Sequence, residues 1–444
     1  MRAPQPTGFL GLSHLGVVGS IGYASLGQPV VAVDPDAAPV AMLSRGDVPV
    51  HEPSLDELFA IARERMVFST DPARLESCPL VIVARDIPTD STGASDSSCV
   101  LELVDAALPH LCHGVTLVLM SQVAPSFTRR LAERIRTSRP ELRFTLYYWV
   151  ETLIFGRAVE RYLRPERIVI GCEDPLAPLP DVLQAALDRF GSPVLRMSYE
   201  SAELTKTAIN LYLCAAVTYA NTLSDLCEAI GADWSEMMPA LKLDSRIGPA
   251  AYIRPGLGIA GGNLERDLVT LRELCRAHRL DPVFIETLLD YNERRHTWVH
   301  RRLSEHLFSR TTSPVVAVWG LTYKKNTRST KNSIGLRVIN DLRGLAEVRA
   351  YDPALGPGDV DVPAKVMSER DEVLIDADCL LVLTDWDEFA RPNRESMRRM
   401  RRPLVIDCVG VVDIAWAEVA GVHYVSMGRP PKLLPAMAGP AGPR

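Results

Sequence analysis

The chain has 444 residues, 47% of them hydrophobic and 23% charged, and a net charge of −6. That length predicts two or three domains, and the acidic balance without a basic arm excludes a dedicated nucleic-acid binder. No apolar run approaches the roughly 20 residues a membrane span needs, and no charged-then-apolar leader opens the chain, so neither membrane insertion nor secretion is expected.

Residues 8–12 predict a short buried strand, followed by a glycine-punctuated helix and a second strand over 29–34. Apolar runs at 80–84, 115–120 and 144–149 alternate with helical patterns at 98–110 and 125–137, and a further strand follows at 167–171. Strands alternating with helices predict parallel βαβ units. From Glu200 to about Leu280 the strand signal disappears. There Leu204, Ala208, Leu211, Ala215 and Thr218 recur at helical spacing, predicting a long helix whose apolar stripe is buried against another subunit. A second helical stretch spans about 282–308. A new strand at 314–320, a helix at 333–344 and strands at 347–351, 379–383 and 404–407 predict a shorter α/β unit. The expected domains are therefore 1–197, 198–308 and 309–428, with a Pro/Gly/Ala-rich disordered tail at 429–444.

The nine cysteines are scattered, none in a C-x-x-C pair, which suits a reducing cytosol better than a disulfide scaffold. The arginine cluster at 398–402 reads as a solvated helix end. Lysine is scarce, seven residues among 49 basic ones, so a lysine kept in this arginine-rich chain draws attention. Lys206 and Lys324 both fall inside motifs.

Gly11-Leu12-Ser13-His14-Leu15-Gly16 is a degraded G-x-G-x-x-G at a strand-to-helix turn. Gly11 permits the tight turn and Gly16 lets the helix pack on the sheet, while Ser13 stands where a second glycine would let backbone approach a pyrophosphate. Asp34, at the end of the next strand, is placed to bond a ribose 2′-hydroxyl and favours NAD over NADP; an ordinary α/β turn without cofactor is the alternative. Lys206 and Asn210 lie four apart on the long helix and share a face, where an ammonium beside an amide can stabilise a developing alkoxide. The alternative there is a solvated polar stripe. His296 and His300 also share a face, but no acidic third ligand accompanies them in the sequence, so no metal site is expected.

Together these segments resemble the UDP-glucose/GDP-mannose dehydrogenase family over about residues 8–425. The segment from Gly256 to Asp267 is similar to the family's G-x-G-x-G-G-S-C-F-x-K-D, with Gly256 and Gly258 in the glycine frame. Gly46 with His51-Glu52-Pro53-Ser54-Leu55 resembles G-x(5)-E-P-x-L. Residues 156–171 resemble G-x-A-x-x-D-x-x-x-P-x-R-I-V-I-G, with Arg161 at the aspartate. Ser201 to Asn210 is similar to S-A-E-x-x-K-x-x-x-N, and residues 243–248 resemble D-x-R-I-G. Trp319 to Thr327 resembles G-L-A-F-K-x-N-T, and Asp385 to Phe389 resembles E-W-D-E-F.

The resemblance implies an α/β fold of two Rossmann-like domains joined by a central helical dimerisation region, with NAD in the first domain and a nucleotide-sugar substrate. It implies that Glu151 acts in acid/base steps, that Lys206 and Asn210 stabilise an oxyanion, and that Asp267 orients a water or the lysine. It places Pro88 and Gln122 with Gly11, Ser13, Leu15, Gly16 and Asp34 among the cofactor-site residues. It implies that Arg246 and Lys324, with Gly256 and Gly258, bind the substrate, Arg246 reaching the neighbouring subunit of a homodimer.

The departures from the family cluster at the reaction centre. Asn263 replaces the nucleophilic cysteine, Gln122 occupies the threonine position of S-T-V-P, and Trp149-Val150-Glu151-Thr152 keeps only the glutamate of N-P-E-F. Arg85-Asp86-Ile87-Pro88 replaces the V-P-T-P loop near the nicotinamide. An amide cannot form a thiohemiacetal. The expected activity is therefore NAD-dependent oxidation of a nucleotide-sugar at C6 without a cysteine nucleophile, giving or passing through a 6-aldehyde, with C5 epimerisation or elimination open to it. Two alternatives stand beside it: a four-electron dehydrogenase that adds water instead of sulfur, and a non-catalytic nucleotide-sugar-binding paralogue.

Overall fold

Buried, valine-rich strands pair in parallel to build the first sheet. The computed structural model describes residues 5–90, 93 and 95–430, and the chain divides between Ile209 and Asn210 into two compact units. The first unit contains β1 (Thr7–Leu10), β2 (Val30–Val33), β3 (Met66–Ser69), β4 (Leu80–Val83), β5 (Val115–Leu119), β6 (Phe144–Trp149), β7 (Ile168–Cys172) and β8 (Val194–Ser198). Their order across the sheet is β3-β2-β1-β4-β5-β6-β7-β8. Every neighbouring pair is parallel except β6 with β7, so the strand expected at 167–171 reverses direction against the sheet instead of extending it in parallel. Successive side chains of a strand face opposite sides. Phe9 and Ile82 accordingly enter one core with Val18 and Ile21, while Leu10, Val81 and Val83 enter another with Leu117.

The glycines of helix His14–Ser25 are explained by what crosses it. A Cβ on Gly16 would lie 1.9 Å from the Gly11 carbonyl oxygen, and one on Gly22 would lie 2.6 Å from the Tyr162 ring. The helix therefore sits close to the β1 turn and accepts Tyr162 against its flank. The long helix Tyr199–Ile230 is tied into the first unit at its start. Its Tyr199 hydroxyl donates to the Leu146 carbonyl at 2.6 Å. Its buried Glu203 accepts from the Ser126 and Thr128 amides and the Thr128 hydroxyl, at the N-terminus of helix Phe127–Ser138.

In the second unit that helix continues and packs Cys214 and Val217 against Leu268, Leu271 and Ile285 of helices Asn263–Ala277 and Val283–Arg294. The expected apolar stripe is split: Leu211 and Ala215 pack inward, while Leu204 and Ala208 are exposed. Tyr212, Tyr219, Leu226 and Ile230, outside that stripe, are also exposed. The second sheet is wholly parallel: β9 (Val315–Trp319), β10 (Glu347–Tyr351), β11 (Lys365–Val366), β12 (Cys379–Val382), β13 (Leu404–Asp407) and β14 (His423–Ser426), ordered β11-β10-β9-β12-β13-β14. Each sheet thus carries the doubly wound 3-2-1-4-5-6 order, which opens a ligand crevice beyond the carboxyl ends of its central strands. The tail expected at 429–444 lies outside the described residues beyond Pro430; Arg429 itself is ion-paired with Asp233 at 3.1 Å.

The strands the sequence did not signal lie at sheet edges. β3, β8 and β11 are only partly buried and lack an apolar run, and β14 is buried but begins and ends on His423 and Ser426. His423 is 2% exposed, its ring 5.0 Å from that of His306, and neither of its nitrogens has a hydrogen-bond partner. Burial, then the facing His306 and Arg310, push its pKa down to about 4. A histidine held below its unfolded value of about 6.5 adds stability above pH 6.5 and loses it as pH falls toward the folded value. His423→Leu is therefore expected to flatten the decline of stability, read as Tm, between pH 7 and 5, by about 2 kcal/mol. An unchanged pH slope by scanning calorimetry contradicts that assignment.

Candidate functional site

The sequence-predicted residues of the first unit gather at the carboxyl edge of its sheet. Gly11 follows β1 with φ +100°, Arg85 and Asp86 follow β4, Gln122 follows β5 and Glu151 follows β6. The Glu151 carboxylate accepts the Leu153 amide at 2.9 Å and meets the Lys206 ammonium at 2.8 Å. Both side chains are largely buried, 14% and 12% exposed, so the pair is far better shielded from solvent than a surface ion pair. A carboxylate and an ammonium are in direct contact.

The turn after β1 holds an anion of its own. The Leu15 amide, at the N-terminus of helix His14–Ser25, donates to the Asp86 carboxylate at 3.0 Å, and the Asp86 amide donates to the Ser13 hydroxyl at 2.8 Å. Helix N-termini bind anions through unpaired amides and the helix dipole, and here a side chain takes one of those amides. Asp34 is fully buried. It accepts from the Leu12 amide at 2.6 Å, the Asp36 amide at 2.9 Å and the Arg85 guanidinium at 3.1 Å. A ribose would meet Arg85 before it reached that carboxylate. Pro88 is exposed beside the buried Ile87, and the Ser121 hydroxyl next to Gln122 accepts the Arg85 amide at 2.9 Å. The turn, Gly16 and the helix terminus fit a pyrophosphate once Asp86 swings aside.

The second unit assembles another group. Asn210 donates to Asp267, both buried, and Arg266 reaches the other Asp267 oxygen at 3.2 Å. Asn263 is exposed at the first position of helix Asn263–Ala277, after Gly262 with φ +89°. Packing accounts for the glycines before it: a Cβ on Gly258 would lie 2.2 Å from Asn292, on Gly261 2.6 Å from Tyr323, and on Gly262 2.8 Å from Lys331. Cys214 lies one turn beyond Asn210 on the long helix. Burial first, then Asp267 and Glu265, push its pKa up to about 12, so it supplies no thiolate near neutral pH.

The loop from Tyr252 to Ala260 and the turn after β9 enclose a cavity of about 350 Å³ lined by Tyr252, Arg254, Gly256, Gly258, Tyr323 and Asp385. That volume suits a small-molecule site. Gly320 has φ +104°, and the Leu321 amide donates to Asp352 at 2.7 Å, repeating the Gly11, Leu12 and Asp34 arrangement of the first sheet. Lys324 stacks its ammonium 5.5 Å from the Tyr323 ring. Arg246 is not on the cavity wall; its exposed guanidinium is bidentate to Asp244, at 2.9 and 2.6 Å.

Three segments of the chain match one family in order. Its NAD binding domain matches residues 6–184, its central domain 200–294 and its UDP binding domain 317–414. The chain belongs to the UDP-glucose/GDP-mannose dehydrogenase family. It is 29% identical over 433 residues to the UDP-glucose 6-dehydrogenase of Rhizobium meliloti, covering 95% of this chain and 99% of that one. It is 27% identical over 431 residues to UDP-glucose 6-dehydrogenase TuaD of Bacillus subtilis, covering 95% and 92%. A UDP-glucose dehydrogenase of Pyrobaculum islandicum superposes with a TM-score of 0.80 at 25% identity, covering 94% of this chain and 98% of its own. The UDP-D-ManNAc dehydrogenase of Pyrococcus horikoshii shares the fold with a TM-score of 0.83 at 22% identity, covering 96% and 99%.

Membership gives this oxidoreductase NAD as its cofactor and a nucleotide-sugar as its class of substrate. Among the described residues no helix is long and apolar enough to cross a membrane. Sequence reasoning noted the rewritten 85–88 loop but missed that Asp86 ligates the helix terminus; the one signal was an acidic residue beside the expected cofactor phosphates. Replacing that carboxylate frees the Leu15 amide and removes a repulsive charge. Asp86→Ala is expected to tighten NAD binding by roughly three- to tenfold. Calorimetry showing equal or weaker NAD affinity in the variant contradicts it.

Proposed function

We propose that this protein oxidises a nucleotide-sugar at C6 by a single hydride removal, through a 6-aldehyde, without covalent attachment of the sugar. The buried Glu151–Lys206 pair carries this reading, because a protein that only bound nucleotide-sugars would have no use for it. NAD, when bound on the first sheet, supplies the two-electron acceptor. Lys206 and Asn210, one turn apart on the same helix, hydrogen-bond the C6 oxygen as its negative charge develops. The hydroxyl proton passes through Lys206 to Glu151, and the C6 hydrogen leaves with its electron pair. Asp267 holds the Asn210 amide in place.

The aldehyde product acidifies the C5 hydrogen. Glu151 or Lys206 can then remove and return that proton, which opens epimerisation or elimination by transient oxidation. Asn263 offers no atom for a thiohemiacetal and Cys214 is held as the thiol, so the covalent route to a second oxidation is closed. The cavity beside Tyr252 and Tyr323 is where the nucleotide is held, with Gly256 and Gly258 at its wall and Lys324 beside Tyr323. Asp86 on the helix terminus favours a second reading, a nucleotide-sugar binder that no longer takes up NAD.

The exposed Tyr212, Tyr219, Leu226 and Ile230 on one long helix support a homodimer, in which the exposed Arg246 would exchange its Asp244 partner for a group of the other copy. A monomer in sedimentation velocity contradicts the dimer. For the chemistry, purified protein is incubated with NAD and a panel of UDP- and GDP-sugars in deuterated water. A trapped 6-aldehyde or deuterium at C5 is expected with at least one sugar, and Lys206→Met lowers its formation by about 10²-fold or more. Neither product from any sugar, with no measurable NAD binding, leaves the binder in its place.

A further inference from the structure

A second cluster of chemistry-bearing side chains lies in the second unit, none of them on the cavity wall. His296 stands at the start of helix Thr297–Leu303 and His300 one turn along it. Asp341 is the last residue of helix Ile334–Asp341, more than forty residues further along the chain and therefore invisible as a third ligand in the sequence. His300 Nε2 lies 3.0 Å from Asp341 Oδ2, and His296 Nε2 lies 3.9 Å from the same oxygen. One ligand atom from each of the three lies within 4.8 Å of the others. A tetrahedral zinc ion with bonds of about 2.0–2.1 Å needs ligand atoms about 3.3 Å apart, so rotamer-scale shifts complete the site.

The surroundings are arranged as those of a metal-binding histidine are. His296 Nδ1 lies 2.8 Å from the Glu293 carbonyl oxygen and donates to it. That bond leaves the lone pair on Nε2, the nitrogen facing Asp341. The two imidazoles are perpendicular, with centroids 5.8 Å apart, so both can present a nitrogen to one point. Arg337, on the same helix as Asp341, is paired with Glu293 at 2.7 Å, which neutralises its charge near the cluster.

We propose that His296, His300 and Asp341 bind a divalent transition-metal ion of the zinc class, with the fourth position left to water. The bound ion staples helix Thr297–Leu303 to helix Ile334–Asp341, and so stabilises this unit by mass action. It takes no part in the oxidation.

The test titrates the metal-stripped full-length protein with cobalt(II) as a spectroscopic probe and then with zinc by calorimetry. One equivalent is expected to bind, with ligand-field bands and no thiolate-to-cobalt charge transfer. Zinc is expected to raise Tm, and His300→Ala and Asp341→Asn each to weaken binding at least tenfold and abolish the Tm shift. The exposed His113→Ala leaves both unchanged. Absence of binding, thiolate charge transfer, or affinity indifferent to the His300 and Asp341 substitutions overturns the site.

Discussion

The buried hydrogen bond from Asn210 to Asp267 fixes where residue 263 stands. Asp267 lies one turn into the helix that Asn263 begins, so pinning it to the long helix fixes that N-terminus whatever side chain occupies position 263. The glycines just ahead of it are equally constrained, by Tyr323, Lys331 and Asn292. The backbone at position 263 is therefore held by its neighbours and does not depend on the amide side chain that stands there. Loss of the Asp267 carboxylate would leave the buried Asn210 amide without that acceptor, at about 1–3 kcal/mol.

Two sheets of the same strand order present two crests, and the chain treats them differently. At the second, Asp352 gathers the Leu321 and Thr322 amides and the loop above leaves a cavity of about 350 Å³. At the first, Asp34 is covered by Arg85 and the helix terminus is met by Asp86. An internal anion that must be displaced lowers apparent affinity by the fraction of molecules in which it has left.

Much of this was legible in the sequence. Apolar runs and the βαβ rhythm gave the central strands of both sheets, because parallel strands buried on two faces read as continuous hydrophobic segments. Edge strands such as β3 and β8 went unread because they are half exposed. Glu151, Lys206, Asn210 and Asp267 carried a motif signal, and the structure shows Glu151 bonded to Lys206 and Asn210 to Asp267. What stayed hidden was tertiary: Asp86 meeting Leu15 across 71 residues, Asp341 beside His300, and the buried His306–His423 pair. No local pattern encodes such meetings.

The central proposition is that one hydride, and not two, is removed because no thiol stands at position 263. The decisive measurement is the ratio of NADH formed to nucleotide-sugar consumed at the end of reaction, with the aldehyde trapped by hydroxylamine. The account predicts a ratio of one under trapping, and without the trap a ratio that falls toward zero as aldehyde epimerised at C5 is reduced again, since reduction of the unchanged aldehyde only restores the substrate. Two NADH per sugar, with a uronate as product, would contradict it.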